Sequence, residues 1–118
     1  MILVDTPVWI NHFQSKNTRL AALLEAGEVL THSLVIGELS LGVFRNREEI
    51  FALLDSLPKA GTATDKDVRG WIESRKTWGR GIGWIDACLV ASALLTRCTF
   101  WTLDARLRRV ATSLGVTG

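Results

Sequence analysis

The amino-acid sequence predicts an α/β fold with a mostly parallel central sheet. Short, uninterrupted apolar runs, of which residues 2–4 (Ile-Leu-Val) are the first, are typical of strands that a parallel sheet buries on both faces. These runs alternate along the chain with segments of helical periodicity, which is the order that parallel βαβ units require. The 118 residues contain no internal repeat and no linker-like segment, so we predict a single domain over residues 1–118.

The first half of the chain is predicted to form two strands and four helices. Gly27 and Pro58 mark helix ends, because glycine readily adopts the left-handed conformation that closes a helix and proline cannot continue one. Ser33 is predicted to be the N-cap of a strongly apolar helix. The predicted ranges are 2–4 and 28–31 for the strands, and 7–13, 20–24, 33–44 and 47–57 for the helices.

The second half continues this alternation. A helix after Thr64 is predicted to bury Val68, Trp71 and Ile72, which recur at helical spacing. The other predicted elements are a weak strand at 60–63, a glycine-rich loop at 79–83, a helix at 85–95, a strand at 99–103 and a helix from 104 to about 113.

Composition argues against several classes of protein. No apolar run approaches the roughly 18 residues that span a bilayer, and the N-terminus lacks the basic region of a signal peptide. Cys88 and Cys98 fit reduced thiols in the cytosol better than a disulfide framework, and neither has the spacing of zinc ligands. We therefore predict a cytoplasmic protein with no membrane association and no zinc site.

Four acidic residues are predicted to converge on one site. Asp5 and Asp104 each follow a predicted strand, and the carboxyl ends of parallel strands meet at one edge of a sheet, where ligands bind. Asp86 lies in the first turn of a helix, where negative charge is favourable. Glu38 stands in an apolar helix, and burying its carboxylate there is costly without a cation or a hydrogen-bond donor.

Each acid also has a structural interpretation, and the sequence leaves both open. Asp5 and Asp104 are suited to cap the helices that follow them, and Asp86 suits a first helical turn on its own. Glu38 would need no partner if its helix were more exposed than its composition suggests.

A shared site of four carboxylates would suit Mg²⁺ or Mn²⁺, because hard cations prefer oxygen ligands and the chain has no cluster of His or Cys. Such an ion binds phosphate oxygens, lowers the pKa of bound water and stabilises the transition state of phosphodiester cleavage. With those four acids set aside, eight other carboxylates stand against fourteen Lys and Arg, an excess compatible with a polyanionic substrate.

Four stretches of the chain carry a family resemblance. They are the opening residues 1–10 (MILVDTPVWI), residues 37–39 (GEL), residues 81–87 (GIGWIDA) and residues 101–104 (WTLD). In this order and at this total length, they resemble the VapC-type toxins of the PIN-domain ribonucleases over nearly the whole chain. The resemblance implies a three-layer PIN-like fold, with a mostly parallel sheet of four to five strands between helices.

The resemblance also implies a function. The metal-binding and catalytic residues would be Asp5, Glu38, Asp86 and Asp104, with Asp5 and Asp86 foremost among the direct ligands. The implied reaction is cleavage of structured RNA, such as tRNA or rRNA. The implied partners are a VapB-type antitoxin whose tail blocks the active-site groove and a second copy of the chain, in a homodimer and a toxin–antitoxin hetero-oligomer.

One residue departs from the family pattern. Pro7 stands where the family commonly has a small hydroxyl residue, and proline offers neither a side-chain donor nor a backbone N–H. Thr6 and Thr102 are the nearby hydroxyls that we expect to orient water or phosphate. The departure bears on metal affinity rather than on the fold.

Basic residues flank the predicted acids and are candidates for binding RNA phosphates, although each one alone also fits a solvated helix face. They are Arg75, Lys76 and Arg80 beside the glycine-rich loop, and Arg106, Arg108 and Arg109 after Asp104. Trp78 lies between charged and glycine residues and is a candidate for stacking on a base, whereas periodicity assigns the other four tryptophans to the core.

Two alternatives to a metal-dependent nuclease remain. A phosphatase with Asp5 as its nucleophile is disfavoured, because such chemistry usually needs a second acid two residues later and Pro7 occupies that position. A non-catalytic PIN-like module that binds RNA or protein would keep the acids for structural reasons alone.

Overall fold

A computed structural model describes residues 1–117, which alternate between strands and helices as predicted. The strands are β1 (Ile2–Val4), β2 (Val29–Leu30) and β3 (Thr99–Trp101). The helices are α1 (Thr6–Ser15), α2 (Thr18–Glu25), α3 (Ser33–Ser40), α4 (Arg47–Ser56), α5 (Asp65–Arg75), α6 (Trp84–Thr96) and α7 (Ala105–Ser113).

The sheet is parallel and has the order β2-β1-β3, which confirms the predicted fold class. Leu3 of the central strand lies opposite Leu30 on one side and Phe100 on the other, and it is fully buried. Because β1 is the central strand of a parallel sheet and has no polar neighbours on either face, residues 2–4 form an uninterrupted apolar run.

The sheet within residues 1–117 has three strands, fewer than the four to five predicted. The predicted strand at 60–63 is absent, and the one bridge beside it pairs Thr31 with Lys59. After that bridge the chain leaves the sheet, because the Gly61 N–H donates to Thr96 Oγ1 of α6 at 2.8 Å instead of continuing the ladder.

Helix α6 is the most deeply packed helix, as its Ala- and Leu-rich sequence predicted. Seven of its thirteen residues are buried, and it packs against β3 and α5, whereas α1 packs against α3. Cys88 and Cys98 are buried free thiols, and burial raises the pKa of each. None of the described helices combines the length and apolar character that crossing a membrane requires.

Helix α3 begins differently from the prediction. His32, not Ser33, is its N-cap residue, and His32 Nδ1 accepts a hydrogen bond from the Leu34 N–H at 3.0 Å. Because Nδ1 is an acceptor, the neutral ring carries its proton on Nε2 and donates it to Ser92 Oγ at 3.0 Å. This buried contact joins α3 to α6.

Helix α3 also ends at Ser40 rather than near residue 44. The carbonyl oxygens of Ser40, its last residue, and of Gly42 accept hydrogen bonds from the Arg47 guanidinium at 3.0 and 2.7 Å. A side chain from the next helix thus satisfies acceptors that a longer α3 would have used itself. The turn that results leaves Leu41 and Val43 exposed.

A candidate metal centre

Asp5 lies at the junction of the sheet and α1. Its backbone N–H donates to the Trp101 carbonyl at the end of β3, at 2.9 Å. Its carboxylate Oδ1 accepts from the Thr6 N–H at 2.9 Å, and Oδ2 accepts from Thr102 Oγ1 at 2.8 Å. The side chain is only 4% exposed, so both carboxylate oxygens depend on these donors for solvation.

The Thr102 hydroxyl joins Asp5 to Asp104. It donates to Asp5 and accepts from the Asp104 N–H at 3.1 Å. Asp104 is the N-cap of α7, where its Oδ1 accepts from the Leu107 N–H at 3.0 Å. A single buried hydroxyl therefore fixes the end of one strand relative to the start of the last helix.

The Thr6 hydroxyl joins Glu38 to the start of α1, next to Asp5. Thr6 Oγ1 donates to Glu38 Oε1 at 2.7 Å, between α1 and α3. Glu38 is exposed, so of the two interpretations that the sequence left open, the more exposed helix is the one observed. Its helix buries Val35 and Leu39 and leaves the remaining face partly open to solvent, which the apolar composition of the segment had concealed.

Asp86 is the third residue of α6, and its Oδ2 accepts from the Gly83 N–H at 3.4 Å. Gly83 is a partner of this acid that was not predicted from the sequence. A glycine at the N-cap with an acid three residues later is the signal that would have found it. Asp5, Asp86 and Asp104 therefore each accept a hydrogen bond at the start of a helix, as their structural interpretation predicted. The four acids are also close enough to influence one another.

The four carboxylates influence one another electrostatically. Burial raises the pKa of Asp5 to about 6, hydrogen bonds from Thr102 and Thr6 oppose the shift, and the charges of Asp86 and Glu38 add to it. Burial also raises the pKa of Asp86, assisted by the charges of Asp104 and Glu38. Four residues far apart in the sequence thus form one region of negative potential.

This donor set fits a hard divalent cation. Glu38, Asp86 and Asp104 each use one carboxylate oxygen in a hydrogen bond, and their second oxygens have no hydrogen-bond donor within residues 1–117. As the side chains stand, no three His, Cys, Asp or Glu residues in that range enclose a common point. For one cation to be held here, the free oxygens would have to move inward, and the cation would offset the mutual repulsion of the acids.

The Thr102 hydroxyl offers a direct test of how the site is held. Thr102→Val is expected to reduce the free energy of unfolding by about 1–3 kcal/mol, because Asp5 Oδ2 and the Asp104 N–H lose their partner. Without the bond from Thr102, the pKa of Asp5 should also rise further, since that bond lowers it. Urea unfolding measures the first effect.

Thr31→Val is the matched control. Thr31 is also fully buried, but its hydroxyl has no hydrogen-bond partner among residues 1–117. The same change there should be neutral or stabilising. Equal destabilisation by the two substitutions would contradict the role given to Thr102.

Three of the predicted phosphate-binding residues have defined contacts. Arg108 donates to the Thr102 carbonyl at 3.2 Å, and Arg80 donates to Ser113 Oγ at 3.4 Å. The Arg106 side chain lies against Gly81, where a Cβ would come within 2.9 Å of it. Arg75, Lys76 and Arg109 are exposed. The basic residues thus lie on the two segments that adjoin the acids.

The sequence identifies the family to which this fold and acidic site belong. Residues 2–113 match the PIN domain family. The chain therefore belongs to the PIN domain family, and its similarity to a VapC protein confirms the resemblance seen in its motifs. It is 41% identical over 117 residues to the protein named Ribonuclease VapC32 from Mycobacterium tuberculosis, in the strains CDC 1551 / Oshkosh and ATCC 25618 / H37Rv. The alignment covers 98% of this chain and 94% of the relative.

Proposed function

We propose that this chain is a Mg²⁺- or Mn²⁺-dependent endoribonuclease that cleaves structured RNA, such as tRNA or rRNA, as the toxin of a toxin–antitoxin pair. The relative's name supports ribonuclease activity. The observation that supports the metal dependence is that two threonines link three of the acids. Thr6 donates its N–H to Asp5 and its hydroxyl to Glu38. The Thr102 hydroxyl donates to Asp5 and accepts from the Asp104 N–H.

In this proposal Asp5 and Asp86 hold the cation directly, and Glu38 and Asp104 complete the site. When bound, such an ion lowers the pKa of water and polarises the phosphoryl group. The chain's own residues do the positioning. Thr102 keeps the Asp5 carboxylate oriented, and the arginines of α7 bind the phosphates on either side of the scissile one. In the overall reaction, water adds to phosphorus, the bond to one ribose oxygen breaks, and that oxygen takes up a proton.

Mixed RNA incubated with the purified chain tests this proposal. Cleavage is expected with Mg²⁺ or Mn²⁺, and it should disappear with EDTA or in Asp86→Asn. Asp55→Asn, which changes an exposed acid on α4, is the control and should cleave normally. Metal-independent cleavage, or full activity of Asp86→Asn, would contradict the site. RNA binding without cleavage under every condition would instead favour a non-catalytic module.

The proposed partners follow from the same assignment. We expect the chain to act in the cytoplasm, to form a homodimer and to assemble with a VapB-type antitoxin. Co-expression with the neighbouring short reading frame, followed by sedimentation of the purified complex, measures both associations. A chain that sediments as a monomer alone and does not co-purify with that product would contradict them.

A further inference from the structure

A groove beside the acidic site exposes two tryptophans. It has a volume of about 250 Å³ and is lined by Ile72, Thr77, Trp78, Ile82, Gly83 and Trp84, among others. We call it the tryptophan groove. Trp78 is 57% exposed and Trp84 is 44% exposed, although periodicity had assigned Trp84 to the core. Two large aromatic side chains left partly in water at one groove are characteristic of a binding surface.

The lining beside the tryptophans is mainly apolar. Ile72 and Ile82 supply apolar contacts. Thr77 also lines the groove, but its hydroxyl is buried and makes no hydrogen bond to any of residues 1–117, as is true of the Thr31 hydroxyl elsewhere in the fold. The groove therefore suits a flat ligand with an apolar face.

The surroundings of the groove are cationic. Arg75 and Lys76 immediately precede it along the chain, Arg80 lies in its loop, and Arg106 lies against Gly81 of that loop. The one ion pair within residues 1–117 joins the N-terminal amine to Glu28, so no carboxylate pairs directly with these four cations. This charge suits a ligand that carries phosphates.

The groove is continuous with the acidic site. Gly83 belongs to the groove, and its N–H donates to Asp86 Oδ2. A nucleotide whose base occupied the groove would place its phosphate near Asp86, and the flanking cations would contact the backbone on either side.

We propose that the tryptophan groove binds one unpaired nucleobase of an RNA strand and so selects the nucleotide next to the cleaved bond. Selection of the cleaved bond rests on the proposed function, whereas binding of the base does not. Stacking on Trp78 and Trp84 supplies affinity, because base–aromatic stacking is favourable for every base.

Intrinsic tryptophan fluorescence in EDTA tests binding without requiring cleavage. Single-stranded oligoadenylate is expected to quench the fluorescence. The same strand annealed to oligouridylate should quench much less at equal phosphate concentration, because its bases are paired. Trp78→Ala should remove most of the signal change. Equal quenching by single strand and duplex, or an unchanged response in a Trp78→Ala/Trp84→Ala double variant, would overturn the proposal.

Kinetics on a cleaved RNA test the selective role. Loss of stacking in Trp78→Ala should raise KM by about 5- to 100-fold with little change in kcat, whereas Trp78→Phe should retain most of the affinity. Leu41→Ala, at a leucine that is 88% exposed, is the control for removing exposed apolar surface. Thermal unfolding identifies any variant that fails to fold. If Trp78→Ala does not fold, the KM of Trp78→Phe and the comparison of single strand with duplex decide whether the groove binds a base.

The outcomes separate the two proposals. Absence of cleavage in every metal would remove the proposed function, and the fluorescence experiment would still decide whether the groove binds a base. Normal cleavage with unchanged KM and cleavage positions in Trp78→Ala would overturn the groove alone. Self-association that Trp78→Ala abolishes, without any response to RNA, would assign the groove to a second copy of the chain and overturn the inference.

Discussion

Asp5→Asn should abolish RNA cleavage and yet make the metal-free protein more stable above pH 6. The loss of activity should be at least about 100-fold, because residues that only support a metal ligand already contribute 10- to 100-fold. The asparagine oxygen can still accept from the Thr6 N–H, so the cap of α1 remains. The substitution removes a buried negative charge without removing the side chain's volume.

The gain in stability follows from the pKa of Asp5. Its folded value of about 6 lies above the ordinary value of 3.8, so the folded protein holds this proton more tightly than the unfolded chain. The stability of the wild type therefore falls as pH rises from about 4 to 6, and above 6 the full penalty is present. The shift corresponds to about 3 kcal/mol, as an order of magnitude. Asparagine does not titrate and escapes this penalty.

Urea unfolding in EDTA at a series of pH values measures the effect. The difference in free energy of unfolding between Asp5→Asn and the wild type should grow between pH 4 and 6 and remain constant above that range. Asp55→Asn should show no such growth, because its side chain is exposed. A constant difference across all pH values would contradict the assignment of the shift to Asp5.

Addition of Mn²⁺ or Mg²⁺ should raise the thermal midpoint of the wild type on the order of 10 °C at a concentration about 100 times the dissociation constant. The reason is that the cation binds the folded site and not the unfolded chain, where the four acids are far apart. The gain should be smaller at pH 5 than at pH 8, because the ion must displace the proton that Asp5 holds below about pH 6.

Thermal unfolding with titrated metal tests this expectation. Asp5→Asn and Asp86→Asn should lose most of the metal-dependent shift, and Asp55→Asn should retain it. Monovalent salt at matched ionic strength separates specific binding from general screening. An equal shift with the monovalent salt, or in Asp5→Asn, would mean that the acids form no metal site.

The sequence allowed the strand-end acids to be placed, because local signals determine their positions. A buried apolar run at 2–4 ends at Asp5, and a helix start follows Asp104, so their place at one sheet edge needed no tertiary information. Asp86 was placed mainly through the family motif. The hydrogen bonds of Thr102 and Thr6, in contrast, join residues far apart in the chain.

The departures from prediction have causes outside the segments themselves. At the end of α3 the partner is Arg47 of the following helix, and at the missing strand at 60–63 it is Thr96 of α6, which is far away in the sequence. Propensity and periodicity describe only nearby residues, and tertiary partners outweighed them in both places. The exposure of Glu38 has the same origin, because which face of an apolar helix is covered depends on the elements that pack against it.

The Thr102 hydroxyl connects the proposed cation site with the helix that is proposed to bind RNA. The helix that begins at Asp104 carries Arg106, Arg108 and Arg109, and the same hydroxyl that contacts its first turn also holds Asp5. If this helix binds RNA and Asp5 holds a cation, as we propose, then each ligand acts on the binding site of the other through this hydroxyl. Thermodynamic reciprocity requires the two affinities to change by the same factor. Under the proposed function, the metal affinity measured with and without RNA should therefore differ by the same factor as the RNA affinity measured with and without metal.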